Sequence, residues 1–348
     1  LTLTPHPNPH STPNPTPNFS PHPQPHPNPN EVWGSRLFDF GKEEVLRFLL
    51  SNIAWFVTAY GADGFRFDAV STALYRHRSL NGRGTFTSYH DYFGPACEVD
   101  LAALSYFKLA NLLLHELLPA HLGAGAPPPA APLLSIAEEP TGLPGLCAPL
   151  GCGGVGFDLR QTMGLPPLWA EICSLPHGAS IPVARLAREM CRVRSEERRL
   201  AYSECHDHSL VGDKTLAFRL IGEDMYTGMS LHAPPTAAVS RGMALLHMSR
   251  LLTCSLGGEA HLNFIGNEFG HAEWLDFPCP RNDHSFALAR RRWDLADDPS
   301  LRYGLIRAFD RAMRVAEAEG AWLSAPAPRT EVAMAGGEGG GEGGGADG

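Results

Sequence analysis

The stretch ADGFRFDAV, residues 62–70, decides the fold because it places two charges inside an otherwise apolar run. Alternate side chains of a β-strand face opposite sides, so Arg66 and Asp68 share one face. Phe65 and Phe67 share the other face, which is suited to packing against helices. An unpaired charge in a core is very costly. The sequence therefore predicts either a structural Arg66–Asp68 ion pair or a strand that ends at a site requiring a carboxylate.

Composition and charge exclude several classes of protein. The chain has 348 residues, 43% hydrophobic content and a formal net charge of −9, which argues against a nucleic-acid surface. Apolar runs are too short to predict a membrane span. Eight cysteines without a CxxC pair indicate reduced, buried thiols rather than a zinc site or a disulfide framework. We expect a cytoplasmic protein, with the plastid as the alternative location.

Low-complexity segments flank the region that we expect to fold. Residues 1–30 form a Pro/His/Asn-rich repeat whose prolines prevent helices and sheet ladders, and residues 331–348 form a Gly/Glu-rich tail. Both segments are predicted to be disordered. The four histidines of the repeat could hold a metal ion loosely, but a repeat without function is the simpler interpretation. Residues 31–330 are the predicted catalytic region.

Strand-like and helix-like segments alternate inside that region, which favours an α/β fold with a parallel sheet. Helical spacing of apolar residues predicts a first helix that Gly61 closes. Asp100 is the predicted N-cap of a second helix, and Pro119 is predicted to lie just past its end. The predicted helices and strands are EEVLRFLLSNIAWFVTAYG, FRFDAV, VDLAALSYFKLANLLLHELLP, LLSIAEE, a helical stretch near 183–199, LAYSEC, AVSRGMALLHMSRLLTCSLGG, AHLNFIGNEFG and SLRYGLIRAFDRAMRVAEAEG.

Three predicted strands run into carboxylates. Asp68 follows the first strand, Glu138 and Glu139 follow the second, and Asp207 follows the third, with about 70 residues between successive acids. A (β/α)8 barrel uses about 30 residues per strand–helix unit, so each gap corresponds to one long unit or two ordinary ones. The carboxyl ends of barrel strands share one face, where these acids would converge. Retaining cleavage of a glycosidic bond uses two carboxyl groups about 5–5.5 Å apart.

Several segments resemble a known family. DGFRFDAV, SIAEEPTG and AYSECHDHSLVGDK are similar, in this order, to three signature segments of the α-amylase superfamily, glycoside hydrolase family 13. WGSRLFDFGKEEVLRFLLSNIAWF, DMYTGMS, HLNFIGNEFGHAEWLDFP and ALARRRWDLADDPSLRYGLIRAFDRAM resemble its branching-enzyme subfamily of glycogen and starch synthesis. The resemblance spans roughly residues 32–325. It implies a hexosyltransferase that cuts an α-1,4 glucan bond and re-forms it as an α-1,6 branch.

The resemblance also implies roles for individual residues. Asp68 would be the nucleophile that forms a covalent glucosyl intermediate, and Arg66 would orient it and keep it ionised. Glu138 would be the general acid and then the base for the incoming hydroxyl. Asp207 would stabilise the oxocarbenium-like transition state, with His206 beside it.

A glucan is the implied partner: glycogen, amylose or amylopectin. Glu44 and Arg47 match a glucan-contacting stretch of the family, although an exposed ion pair at a helix start explains them equally well. Acid–base transfer between carboxylates needs no metal or organic cofactor, and none is expected.

The sequence also departs from the family pattern. The carbohydrate-binding domain and first three barrel strands of the family have no counterpart here, so we expect a partial (β/α)8 barrel made of the later strands. Near the expected site, Ala69, Glu139 and His208 replace a usual Gly, Asp and Gln.

An incomplete barrel exposes a strand edge, which a partner chain could cover. Two alternatives to a branching enzyme therefore stay open. One is a truncated, inactive or partner-dependent glucan-binding relative, and the other is a hydrolase of the amylase type.

Overall fold

A computed structural model describes residues 36–77, 86, 88–93, 98–123, 132–192, 194, 197–211, 214–271 and 275–325. The predicted disordered segments, residues 1–30 and 331–348, lie outside the described residues. The chain divides into two compact units. Among the described residues, those from 36 to 163 together with 194 and 197–200 form the first unit, and all the others form the second.

The first unit is built on parallel strands. Its elements are α1 (Glu43–Tyr60), β1 (Gly64–Phe67), α2 (Val70–Leu74), α3 (Tyr89–Phe93), α4 (Leu101–Leu112), α5 (Leu118–Gly123), β2 (Leu134–Ala137), β3 (Leu159–Gln161) and most of β4 (Arg199–Ala201). β1 pairs with β2, β2 with β3 and β3 with β4, all in parallel. The predicted α/β class with a parallel sheet is therefore confirmed.

Side-chain periodicity explains both α1 and β1. Leu49, Ile53 and Val57 recur every four residues on α1 and form its buried stripe. Gly61 ends this helix in the left-handed conformation, with φ of 63°, as predicted. In β1, Phe65 and Phe67 are buried in the core of the first unit. The predicted alternation of a charged and an apolar face in this strand is confirmed.

The helix that begins at Leu101 is longer than predicted. Asp100 caps it as expected, because its carboxylate accepts hydrogen bonds from the backbone N–H groups of Ala102 and Ala103. The helix does not stop before Pro119, however. A π-helical turn at Leu113–Leu117 connects α4 to α5, and this wider turn changes the hydrogen-bond register just before the proline.

The combined helical run Leu101–Gly123 is also long and apolar enough to cross a membrane by length and composition, with a mean hydropathy of 1.2. Tyr106, Phe107 and Leu114 bury one side of it in the core of the first unit. About 39% of the most apolar window is buried, whereas Leu101, Leu109 and Leu117 are exposed.

The second unit is mostly helical. Its elements are α6 (Leu165–Cys173), α7 (Val183–Met190), α8 (Leu216–Ile221), α9 (Asp224–Thr227), α10 (Ala237–Leu256), β5 (Ala260–His261), α11 (Trp293–Asp297) and α12 (Tyr303–Gly320). The side chain of Thr236 caps α10, and Gly242 lets α10 approach Ile221 of α8 closely. The predicted helices at α10 and α12 are confirmed.

One strand prediction needs correction, and one strand of the sheet has no counterpart among the predictions. In the predicted strand AHLNFIGNEFG, only Ala260–His261 is a strand, and a 3-10 turn follows at Asn267–Phe269. Gly266 and Gly270, both with positive φ, interrupt the extended chain there. β3 was not predicted at all. It lies between β2 and β4, so the gap between Glu138 and Asp207 contains two further strands: a 3-10 turn at Leu150–Cys152 precedes β3, and α6 and α7 separate β3 from β4.

Candidate active site

Asp68 and Glu138 follow two neighbouring parallel strands at the point where each strand ends. Phe67 of β1 is in register with Ala137 of β2, and each acid is the next residue of its strand. The backbone N–H of Glu138 donates to the carbonyl of Phe67 at 2.9 Å, which extends the ladder to the acid itself. The parallel pairing therefore places the two carboxyl groups at the same edge of the sheet.

Arg66 connects the two carboxyl groups. Its Nη1 donates to Asp68 Oδ1 at 2.5 Å, and its Nη2 lies 2.8 Å from Glu138 Oε2. The three side chains are only 14–25% exposed, so water screens this cluster weakly. Arg66 Nε donates in turn to the buried side chain of Gln161 on β3, at 3.2 Å. One guanidinium group thus fixes both acids, and a neighbouring strand fixes the guanidinium group.

The surroundings of Glu138 favour its protonated form. Burial and a hydrogen bond with the Asp68 side chain raise the pKa of Glu138 to about 8, although Arg66 and the N–H of Ala69 act in the opposite direction. A carboxyl group that keeps its proton at neutral pH can serve as a general acid. Two adjacent carboxyl groups that share a proton are also typical of catalytic pairs.

The raised pKa of Glu138 predicts how the stability of the protein depends on pH. The folded state holds this proton more tightly than the unfolded state, so unfolding releases it between the ordinary value of 4.5 and about 8. We expect the free energy of unfolding of wild type to fall, relative to that of Glu138→Gln, as pH rises through this window. Urea titrations of both proteins at several pH values measure the difference. A difference in unfolding free energy that does not change with pH would contradict the raised pKa of Glu138. Glu44→Gln, on the exposed side of α1, is the control.

Ala69, directly after Asp68, has a backbone conformation that suits glycine. Its φ is 47°, in the left-handed region, and its N–H donates to Glu138 Oε2 at 3.0 Å. We expect Ala69→Gly to stabilise the protein by about 1 kcal/mol, because glycine adopts this conformation without the steric cost of a Cβ. Denaturant unfolding measures the change. Ala73→Gly inside α2 is the matched control and should destabilise by about the same amount. Destabilisation by Ala69→Gly would show that the backbone is not strained there.

Glu139, next to the proposed acid, has a structural role. Its side chain is fully buried and accepts hydrogen bonds from the backbone N–H groups of Gly142 and Leu143, at 2.8 and 3.0 Å. It also pairs with Arg160 of β3, which bonds Glu197 with two further N–H groups. Glu139 therefore holds the loop after β2, and Glu138 is the residue that lies beside Asp68.

Glu44 and Arg47 lie on the exposed side of α1. Arg47 Nη1 donates to Glu44 Oε1 at 2.9 Å, and Nη2 donates to Glu43 at 2.7 Å. All three side chains are more than half exposed, so an ion pair at a helix start accounts for them. The predicted contact with a glucan stays a prediction.

Asp207 and His206 belong to the second unit. His206 Nε2 lies 3.3 Å from Asp207 Oδ1, and the Asp207 side chain is 43% exposed. Asp207 and His208 line a cavity of about 120 Å³ together with Glu204, whose carboxylate is buried. Glu204 accepts hydrogen bonds from Ser209 and the N–H of Leu216, which fixes the segment around Asp207. The convergence of Asp207 with the two acids of the first unit stays a prediction.

Two residues that help to position this site, Arg160 and Gln161, are not among the residues predicted from the sequence. Both lie on β3, whose three residues are all buried and show no alternation of polar and apolar side chains. The only hint in the sequence is the run LRQ, in which a charged and an amide side chain follow a leucine. Its meaning depends on partners such as Arg66, 95 residues earlier in the chain.

The chain is similar in sequence to several known enzymes of one name. It is 48% identical to a 1,4-alpha-glucan-branching enzyme of Dictyostelium discoideum over 295 residues, which cover 85% of this chain and 41% of that protein. It is 47% identical to the enzyme of that name from Yarrowia lipolytica over 293 residues, and 46% identical to that from Felis catus over 297 residues. The chain is thus similar to 1,4-alpha-glucan-branching enzymes over most of its own length. The matches cover 42% of the Yarrowia enzyme and 40% of the Felis enzyme.

The similarity to branching enzymes covers only part of the length of those enzymes. The chain spans about two-fifths of the length of the curated relatives that it matches. No protein-family model matches it. A crystal structure of an alpha-amylase from Lactobacillus plantarum is similar with a TM-score of 0.42 and 13% identity, over 82% of this chain and 52% of that one. This structural likeness is too weak to assign the fold.

Proposed function

We propose that this chain carries the nucleophile and the general acid of a 1,4-α-glucan branching reaction. The observation that supports it most is the pair Asp68 and Glu138, which one arginine joins at the ends of adjacent parallel strands. Glu138 is the protonated member of the pair and Asp68 the ionised one. Two carboxyl groups with different protonation states are what retaining glycosyl transfer requires.

The proposed reaction has two steps. In the first, Asp68 attacks the anomeric carbon of an α-1,4-linked glucose while Glu138 gives its proton to the departing glycosidic oxygen. In the second, the 6-hydroxyl of a glucan attacks the glucosyl ester, Glu138 takes the proton of this hydroxyl, and the carboxylate of Asp68 leaves. Arg66 keeps the carboxylate of Asp68 ionised and correctly oriented throughout.

The remaining parts of the proposal concern the fold and the substrate. Parallel strands connected through helices are compatible with the later strands of a (β/α)8 barrel, in which Asp207 would reach the same sugar ring. His206 would contact that sugar beside it. Glu44 and Arg47 would contact a more distant part of the glucan, and glycogen, amylose and amylopectin are the candidate substrates. A partner chain would cover the open edge of the partial barrel.

Gln161 gives a test of how the arginine is positioned. We expect Gln161→Met to lower the kcat of branching about tenfold with little change in KM, because the Nε of Arg66 loses its acceptor while the shape of the side chain is kept. Thr162→Val is the control: the Thr162 hydroxyl bonds the Leu200 carbonyl and not Arg66. Equal losses of kcat in both variants would show that the effect is general to this part of the chain.

The test of the proposed function is product analysis. The purified chain is incubated with amylose, and the products are examined by proton NMR for α-1,6 anomeric signals and by a reducing-end assay. We expect new α-1,6 linkages without a matching rise in reducing ends. Reducing ends without branches would indicate an amylase-type hydrolase instead.

Glucan binding provides the second measurement. Sedimentation with insoluble amylose shows whether the chain binds its proposed substrate. Stable binding without any product would overturn catalysis by this chain and favour a glucan-binding relative.

A further inference from the structure

A second group of potential ligands lies in the second unit, on the turn that carries Asp207. Cys205, His206 and Asp207 each offer one metal-binding atom, and these three atoms lie within 4.8 Å of one another. Sγ of Cys205 is 3.6 Å from Asp207 Oδ2 and 3.4 Å from Nδ1 of His208. The sequence predicts reduced, mostly buried thiols and does not predict this cluster.

The spacing of these atoms suits a small divalent cation. Zinc binds sulfur, nitrogen and oxygen ligands at about 2.0–2.3 Å, so neighbouring ligands of a tetrahedral site are about 3.3–3.7 Å apart. Cys205 Sγ lies 3.6 Å from Asp207 Oδ2, and His206 Nε2 lies 3.3 Å from the other oxygen, Asp207 Oδ1, so each ligand is within this range of one carboxylate oxygen. With one atom taken from each residue, the widest separation is up to 4.8 Å, and a bound ion would draw the three side chains together. Burial and the nearby Asp207 raise the pKa of the Cys205 thiol to about 12, so the cation must displace the thiol proton before sulfur and carboxylate together supply two negative charges.

An ion can reach this cluster from solvent. The side chains of His206 and Asp207 are 26% and 43% exposed, and Asp207 also borders the cavity described above. Cys205 is buried beneath them, so its sulfur would be the inner ligand. Lys214 and Arg219 line the same cavity, and their positive charges should weaken the binding of a dication.

We propose that Cys205, His206 and Asp207 form a binding site for Zn²⁺ or a chemically similar divalent ion, with a fourth position open to water. Three protein ligands and one open position define an exchangeable site rather than a closed structural one. The ion would not take part in glucan transfer. If the proposed function holds, it would occupy Asp207 and inhibit the reaction.

Cobalt is the probe for this site, because a cobalt–thiolate bond gives a charge-transfer absorption that histidine and carboxylate ligands do not give. The full chain is reduced, freed of metal with a chelator and titrated with Co²⁺ in the absence of glucan. We expect this absorption to saturate at one Co²⁺ per chain and to disappear when Zn²⁺ is added. The histidines of residues 1–30 do not contribute to a thiolate band.

Two variants identify the ligands. Cys205→Ser should abolish the band, whereas Cys254→Ser, at another buried cysteine of the same unit, should keep it. Asp207→Asn, at an exposed side chain that should not disturb folding, should weaken Co²⁺ binding at least about tenfold. An unchanged band in Cys205→Ser, an unchanged affinity in Asp207→Asn, or no band with wild type would overturn the site.

The cobalt titration tests the metal site independently of the proposed function. Because it contains no glucan, a positive result stands even if the chain transfers no sugar. Inhibition of branching by Zn²⁺ at the concentration that saturates the site is the additional result expected if both proposals hold.

Discussion

Asp68→Asn should abolish glucan transfer while leaving the protein folded. We expect the turnover number to fall by a factor on the order of 10⁴ or more, because an amide cannot form the glucosyl ester. Asparagine has nearly the same shape as aspartate and can still accept the hydrogen bond of Arg66. The rate of formation of α-1,6 linkages from amylose measures the effect.

Asp63→Asn is the matched control for this loss. Asp63 lies at the opposite end of β1, where its backbone carbonyl accepts the N–H of Leu134 and its side chain is not part of the acid pair. Its substitution should leave the turnover number nearly unchanged. Branching by Asp68→Asn at more than about a hundredth of the wild-type rate would exclude Asp68 as the nucleophile.

Arg160→Met should cause the largest loss of stability. Arg160 holds the buried carboxylates of Glu139 and Glu197 and donates to the carbonyl of Leu143 at 2.6 Å. Methionine would leave two buried negative charges without their partner, which costs about 3–5 kcal/mol for a buried pair. We expect the free energy of unfolding, measured with urea, to fall by this amount.

Arg47→Met, in the same unit, is the control because it makes the same substitution at an exposed arginine. Its ion pairs with Glu43 and Glu44 are exposed, so its loss should change the free energy of unfolding by less than about 1 kcal/mol. Similar losses for both variants would mean that the Arg160 network contributes no more than a surface ion pair. They would contradict the structural role given to Glu139.

Elements with a strong local pattern could be predicted from the sequence. The alternation around Phe65 and Phe67 predicted β1, and the acids at the ends of two strands predicted that Asp68 and Glu138 would lie at one edge of the sheet. The cap at Asp100 and the glycine at Gly61 were also visible. In each case the information lies within a few residues, so neighbouring side chains suffice to reveal it.

Features that depend on distant partners could not be predicted. β3 has the residues Leu159, Arg160 and Gln161, and the burial of the two polar ones is explained only by Glu139, Glu197 and Arg66. The distinct roles of the two consecutive acids after β2 likewise come from tertiary contacts. The resemblance to branching enzymes selects Glu138 as the proposed acid, and the structure shows that its neighbour Glu139 is fully buried and paired with Arg160.

Identification of the labelled carboxylate is the most direct test of the central proposal, that Asp68 and Glu138 act as nucleophile and acid on one sugar. The chain is treated with an activated 5-fluoro-α-maltosyl fluoride, which forms the glycosyl ester quickly and releases it slowly, and is then digested for peptide mass spectrometry. The account predicts one sugar ester, on Asp68. A sugar ester on Glu138 or another carboxylate, or no labelled peptide from a preparation that branches amylose, would contradict it.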